Sequence, residues 1–236
     1  IAGDAGSALS HFAMYGLAAI GDEAGLGPIT LWWTVEAQPK PMLDLGKADS
    51  IDLAQAVYDV IRELERGGEW PSLTIEYGAG SKKAAMSPFS PRIKAIDADK
   101  YPDDWPGHQK ARQSVLDRLT EDGRFLDLAL IQALGEAAYW RTENKEPRPD
   151  HGASRWEMKT RNRGEEFVQH RFLLMVQELA RWGVEEILEG ITGAEVRDTL
   201  AKNPVDSRTS TGFTPPAAAD VALSFAALIG ISMFPM

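Results

Sequence analysis

A proline- and glycine-rich stretch from residue 78 to residue 107 divides the sequence into two parts with different patterning. Prolines and closely spaced glycines interrupt regular structure, so the regions on either side form separate sets of elements. Ahead of this stretch, apolar residues at helical spacing alternate with short runs rich in β-branched and aromatic residues. These patterns predict two helices and two strands: helices at 7–23 and 50–66, and strands at 29–35 and 73–77.

Behind the proline-rich stretch, helical spacing dominates the sequence. The predicted helices cover residues 108–122, 124–138, 165–189, 193–201 and 217–233. The fold class that follows is α+β, with a small α/β front domain and then a mainly helical bundle. In the front domain, residues 1–100, we expect a small sheet with helices on one face. The bundle takes residues 101–236.

The composition is that of a globular protein with an ample core. The chain has 236 residues, of which 44% are hydrophobic, and it contains no cysteine. The absence of cysteine excludes disulfides, thiolate zinc sites and thiol catalysis, and it fits a cytoplasmic location. Residues 1–20 lack the basic flank of a signal peptide. The most apolar stretch, 217–236, includes Asp220 and Pro235, so it predicts a buried helix and not a membrane span.

The formal net charge of −10 argues against a generally basic, histone-like protein. Taken alone, such a charge is most typical of a protein that is simply kept soluble by it. It remains compatible with nucleic-acid binding through a local basic patch, since an acidic surface elsewhere suppresses non-specific contact with a polyanion.

Basic residues are concentrated in one segment, Ser154–Arg163, which we call the cationic segment. Four basic residues and one acidic residue give it a charge of +3 within the acidic chain. Guanidinium groups bind phosphate or guanine in two-point fashion, tryptophan stacks on bases, and asparagine contacts base edges. The nucleic-acid-binding candidates here are Arg155, Trp156, Lys159, Arg161, Asn162 and Arg163. The alternative is a basic surface loop that pairs with acidic groups of a neighbouring subunit.

Two other loops offer weaker contacts for an anion. Gly78–Lys83 follows a predicted strand and presents Lys82 and Lys83, but it matches the spacing of neither common phosphate-binding loop. A contact with a backbone phosphate and a plain exposed turn are both compatible with it. Asp206–Pro216 combines Arg208 with several hydroxyl groups, which suit either a phosphate contact or local satisfaction of the backbone.

No residue pattern supports a catalytic site or a bound cofactor. The histidines occur in neither H-E-x-x-H nor G-x-S-x-G contexts; they are His11, His108, His151 and His170. A group of aspartates lacks the glycine and glutamate offsets of a calcium loop and is more typical of a solvated loop. A metal-dependent nuclease built on this group is the least favoured alternative; its members are Asp97, Asp99, Asp103 and Asp104.

Several stretches resemble one known family. Ser154–Phe167 (SRWEMKTRNRGEEF), Asp206–Pro216 and Leu223–Pro235, together with Gly3–Phe12, resemble the compact large-subunit proteins of subtype I-U (I-G) CRISPR interference complexes. The likeness extends over most of the chain.

The resemblance implies a non-catalytic subunit that recognises the short motif flanking the target and stabilises the opened target and the displaced DNA strand. In the family, the front domain contacts the flanking motif, the helical half lies along the target, and a recruited helicase–nuclease cuts. The implied partners are guide RNA, target double-stranded DNA, the other interference subunits and the helicase–nuclease. The alternative from another class is a purely structural scaffold subunit without direct nucleic-acid contact.

Overall fold

The computed structural model describes residues 1–80, 83–90, 100–134, 140–143, 146–149, 167–200 and 218–234. Its backbone contacts define two compact units. The first unit comprises Ile1–Ile61 and Glu178–Met233, and the second comprises Arg62–Gln177 and Phe234–Met236. Residue 100 lies inside the second unit, so this division differs from the predicted boundary near residue 100. The predicted domains 1–100 and 101–236 stay a prediction.

Within the described residues the protein is mostly helical with short strands, and the predicted α+β class is confirmed. The helices are α1 (Ala8–Glu23), α2 (Ser50–Glu65), α3 (Asp104–Glu121), α4 (Phe125–Leu134), α5 (Leu173–Leu179), α6 (Val184–Thr192) and α7 (Val221–Ser232), with a π-helical segment (Val168–Phe172) leading into α5. The strands are β1 (Thr30–Trp33), β2 (Pro41–Asp44), β3 (Ile75–Tyr77), β4 (Ala84–Met86), β5 (Trp140–Glu143) and β6 (Glu146–Pro149). None of the described helices has the length and apolar content that crossing a membrane requires.

The strands form three separate two-stranded sheets, β1–β2, β3–β4 and β5–β6, each antiparallel. In the first, Thr30 lies opposite Asp44 and Trp33 opposite Pro41. The predicted strands at 29–35 and 73–77 are confirmed as β1 and β3, but the expectation that they share one small sheet is wrong. Each instead pairs with a short strand that directly follows it in the chain, because antiparallel neighbours need only a short connection.

The helix predicted as continuous over 165–189 is wrong, because the chain turns at residues 180–183 and starts a new helix. Gly183 has an extended backbone, and its N–H donates to the Glu186 carboxylate at 2.7 Å, which is the reciprocal bond of a capping box. The helix predicted at 193–201 is also absent from the described residues 193–200. There, the Arg197 backbone N–H donates to Asp220 instead of to a helical carbonyl.

The first unit is built around the packing of α1 against α7. Two glycines permit it: a Cβ on Gly16 would collide with the carbonyl oxygen of Ala226, and one on Gly230 with that of Phe12. The two helix backbones therefore approach each other more closely than alanine would allow. α7 begins at Val221, with Asp220 as the residue whose side chain caps it.

The second unit has an aromatic core. The Trp70 ring stacks on Phe172 with ring centroids 5.4 Å apart and meets Phe89 edge-on at 5.7 Å. All three side chains are buried. Because aromatic rings remove a large apolar area from water, these contacts stabilise this unit.

Candidate nucleic-acid interface

Most of the predicted nucleic-acid contacts lie outside the described residues. This holds for Lys82, for Arg208 and for the whole cationic segment, with its candidates Arg155, Trp156, Lys159, Arg161, Asn162 and Arg163. The assignment of these residues therefore stays a prediction. Lys83 is described.

Lys83 directly precedes β4, in the connection that joins β3 to β4. This connection leads into a strand, so Gly78–Lys83 does not precede a helix as a phosphate-binding loop would. The Lys83 ammonium lies 2.6 Å from a carboxylate oxygen of Glu76, and both side chains are more than half exposed. An exposed pair of this kind contributes about 0–1 kcal/mol, so Glu76 holds the Lys83 ammonium only weakly.

In the second unit, two arginines belong to a network of ion pairs that sequence reasoning did not predict. Arg118 binds the Glu69 carboxylate through both of its terminal nitrogens, at 3.2 and 3.0 Å. Arg124 contacts the same carboxylate at 3.1 Å and binds Asp127 through two nitrogens, both at 3.0 Å. The Trp70 indole N–H completes the network by donating to Asp127 at 2.6 Å.

Burial and charge act against each other on the two carboxylates of this network. Burial raises the pKa of Glu69, but the hydrogen bonds and charges of Arg118 and Arg124 outweigh it, so this pKa lies below its ordinary value. Burial raises the pKa of Asp127 above its ordinary value against the opposing effect of Arg124. With Arg124 largely buried and engaged on two sides, this network holds the second unit together and offers little cation to an external anion.

A second buried polar group joins β3 to α3. The Tyr77 hydroxyl and the Nδ1 atom of His108 are hydrogen-bonded at 2.8 Å, and Trp105 stacks on the histidine with centroids 5.0 Å apart. His108 is fully buried, and among the described residues its Nε2 atom has no hydrogen-bond partner. Burial, with a smaller contribution from the Arg112 charge, lowers the pKa of His108 to about 4. Burial also raises the pKa of Tyr77, with a further contribution from Asp104.

This pair lies near the aspartates considered as metal ligands. Asp104 is the first residue of α3, and its carboxylate accepts the Gly78 backbone N–H at 2.7 Å. Asp103 precedes the helix, while Asp97 and Asp99 lie outside the described residues. The described part of the chain contains no group of three or more histidine or acidic side chains arranged to hold a metal ion.

The other histidines that the structure describes are in ordinary positions. His11, on α1, is half-buried, contacts the Ala5 carbonyl oxygen through Nε2 at 2.9 Å and lies against the Trp33 ring. His170 is exposed in the π-helical segment, and His151 lies outside the described residues. The sequence analysis did not predict the contact between Tyr77 and His108. The two residues are 31 positions apart in the chain, and no local sequence pattern indicates that they meet.

Comparison with protein-family models, with curated proteins and with solved structures found no match to this chain.

Proposed function

We propose that this chain is a non-catalytic, nucleic-acid-binding subunit, and specifically the large subunit of a type I CRISPR RNA-guided DNA surveillance complex in the cytoplasm. In this role it recognises the motif that flanks the target and stabilises the opened target and displaced strand for a recruited helicase–nuclease. Guide pairing supplies most of the sequence information in such complexes, so a few basic side chains suffice for the protein's share.

The uneven distribution of charge carries the proposal. Residues 154–163 hold four basic residues and one acidic residue, a charge of +3, whereas the other residues of the chain together carry −13. Since binding of a polyanion depends on clustered positive charge, the cationic segment is the favoured contact in this otherwise acidic chain.

The engagement of arginines elsewhere supports the same choice. Arg124 is committed to Glu69 and Asp127. In the first unit, Arg197 binds the carboxylates of Glu189 and Glu195 at 2.5 and 2.6 Å. Removing Arg124 would leave the largely buried carboxylates of Glu69 and Asp127 without compensation, which is costly. The charge of both arginines is therefore used within the chain.

The test is filter binding of target DNA to the assembled complex with and without the double substitution Arg161→Ala/Arg163→Ala. Each lost phosphate contact lowers the slope of log affinity against log salt by about one, so we expect a decrease of about two and weaker binding. If one of the arginines contacts a base edge, the substitution instead relaxes sequence preference at one position of the flanking motif.

The matched control is Arg62→Ala/Arg66→Ala, which removes the same charge from α2 and its end. These side chains are 47% and 69% exposed and lie 3.7 and 3.9 Å from Glu65 and Glu63. We expect this control to leave affinity and salt slope unchanged. Equal behaviour of the two double variants would refute the assignment of the cationic segment.

A further inference from the structure

The helix that continues into α5 contains one turn that is wider than an α-helical turn. In the π-helical segment Val168–Phe172, the backbone N–H of Leu173 donates to the carbonyl oxygen of Val168, five residues earlier. An α-helix makes this bond over four residues. The wide turn is therefore equivalent to one extra residue inserted into a regular helix. Single π-helical turns are rare in proteins and are found frequently at functional sites.

The wide turn determines the position of the Phe167 side chain. Its ring stacks on Phe172 with the centroids 6.3 Å apart and 24° between the planes, and Phe172 in turn stacks on Trp70. In a regular α-helix, residues five positions apart lie about 140° apart around the axis, so these two phenylalanine rings could not stack. The π-helical turn therefore brings the half-buried Phe167 onto the aromatic core of the second unit.

The buried apolar side chains of this helix are compatible with a regular α-helix as well. Val168, Phe172 and Val176 are buried and are spaced four residues apart. Residues with this spacing share one face of an α-helix, so these three side chains need no wide turn to stay buried. Only Phe167 changes sides. It would lie on the side of Leu174, seven residues further along the chain, which is 44% exposed.

We propose that the π-helical segment is a register switch, in which the helix exchanges between this wide turn and a regular α-helix. The wide turn gains the stacking of Phe167 on Phe172, whereas the regular helix gains the usual hydrogen-bond spacing and exposes Phe167. The exchange turns the chain that precedes Phe167 by about 100°, the angle of one α-helical residue. A partner that binds the preceding chain better in one direction shifts the exchange. The switch does not depend on the proposed nucleic-acid function.

The first test is fluorine NMR relaxation dispersion on the full chain labelled with 4-fluorophenylalanine. Helix register shifts take microseconds to milliseconds, which is the range that this method detects. The para fluorine lies on the axis of the ring, so ring flips do not contribute to the signal. The signals of Phe167 and Phe225 are assigned with Phe167→Leu and Phe225→Leu. We expect exchange broadening at Phe167 that stronger refocusing suppresses.

Phe225 is the internal control, because it is fully buried in α7 and lies outside this helix. Its signal should show no dispersion. The second test is deletion of His170, an exposed residue of the π-helical segment. Phe167 and Phe172 are then four residues apart and can stack in a regular α-helix. We expect this variant to unfold at the same urea concentration as the parent protein or a higher one, and to show no dispersion at Phe167.

The matched control is deletion of Gln113, an exposed residue in the middle of α3. This deletion turns the buried His108 and Arg112 by about 100° relative to Val115 and Leu119, so it should lower the urea midpoint. An equal decrease of the midpoint in the two deletion variants would overturn the proposal, because the wide turn would then not be an inserted residue. A flat dispersion profile at Phe167 in the parent protein, or persistent dispersion after deletion of His170, would overturn the exchange.

Discussion

His108 is kept neutral by its surroundings. Burial, and to a smaller extent the positive charge of Arg112, disfavours protonation of its imidazole, whose Nδ1 atom is hydrogen-bonded to the Tyr77 hydroxyl. A buried group that cannot accept its proton favours the unfolded state wherever that state binds the proton more readily. Protonation of His108 at low pH should therefore destabilise the folded protein.

We predict that the protein loses stability as the pH falls from about 6.5 to about 4. The pKa of His108 is lowered to about 4 in the folded protein, and an unfolded chain has an ordinary histidine value of about 6.5. The unfolded state thus binds more protons in this interval, and the histidine contributes a loss of about 1–2 kcal/mol between pH 7 and pH 5. Urea unfolding at the two pH values measures it.

His108→Gln should remove this contribution, because glutamine does not titrate in that range. His170→Gln, at an exposed site, is the matched control and should preserve the pH dependence of the parent protein. An unchanged pH slope in the His108 variant would show that other groups cause the acid sensitivity.

The close contact between α1 and α7 requires residues without a Cβ atom at two positions, Gly16 and Gly230. Gly16 and Gly230 lie where each helix meets a backbone carbonyl group of the other. In an isolated helix, glycine is less favourable than alanine by about 1 kcal/mol. The close packing of the two backbones must offset this cost for the arrangement to be stable.

We predict opposite effects for the same substitution at two helical glycines. Gly16→Ala forces α1 away from Ala226 and should lower the free energy of unfolding by about 1–3 kcal/mol. Gly107→Ala, in α3, adds a methyl group with no atom within 4 Å beyond its chain neighbours and the nearby backbone of its own helix, and should raise it by up to about 1 kcal/mol. Denaturant titration of both variants makes the comparison, and a stabilising Gly16→Ala would disprove the tight contact.

The helices of the front part were predictable because they repeat apolar residues at helical spacing. α1 and α2 follow the predicted spans within one residue at each end. β2 was missed, since Pro41–Asp44 has no alternation and becomes a strand only by pairing with β1. The turn at 180–183 was missed because the apolar spacing continues across it and Gly183 alone marks the new start.

The interior polar contacts were predictable only in part. Asp127 and Trp70 are 57 residues apart in the chain, and a local pattern cannot indicate that their side chains meet. The histidines occur in no known catalytic motif, and the absence of catalytic activity stays a prediction. The cationic segment was identified by charge alone, which needs no knowledge of long-range contacts.

At the scale of the whole molecule, positive and negative charge are unevenly distributed along the chain. Residues 154–163 carry +3, whereas the other residues of the chain together carry −13. In the proposed function, the acidic residues disfavour contact with nucleic acid elsewhere in the chain, and the cationic segment is the favoured site. Such an arrangement favours selective over non-specific binding.

We predict that ultraviolet crosslinking of the assembled complex attaches DNA or guide RNA to peptides from the cationic segment. Trp156 and the adjacent arginines would then be in direct contact with nucleotides. In the alternative, a scaffold subunit, chemical crosslinks from residues 154–163 go to neighbouring proteins and none to nucleic acid. Affinity purification of the tagged chain together with guide RNA and repeated backbone subunits provides the second measurement.

The pairing of α1 with α7 also has a consequence for synthesis on the ribosome. About 200 residues separate the end of α1 from the start of α7. α1 therefore leaves the ribosome long before α7 has been synthesised. Until then its apolar face, which includes Leu17 and Ile20, is not covered by α7. Contacts so distant in sequence form slowly, and exposed apolar surface promotes aggregation in the meantime. Nascent chains of this protein should accordingly engage chaperones until translation has passed α7.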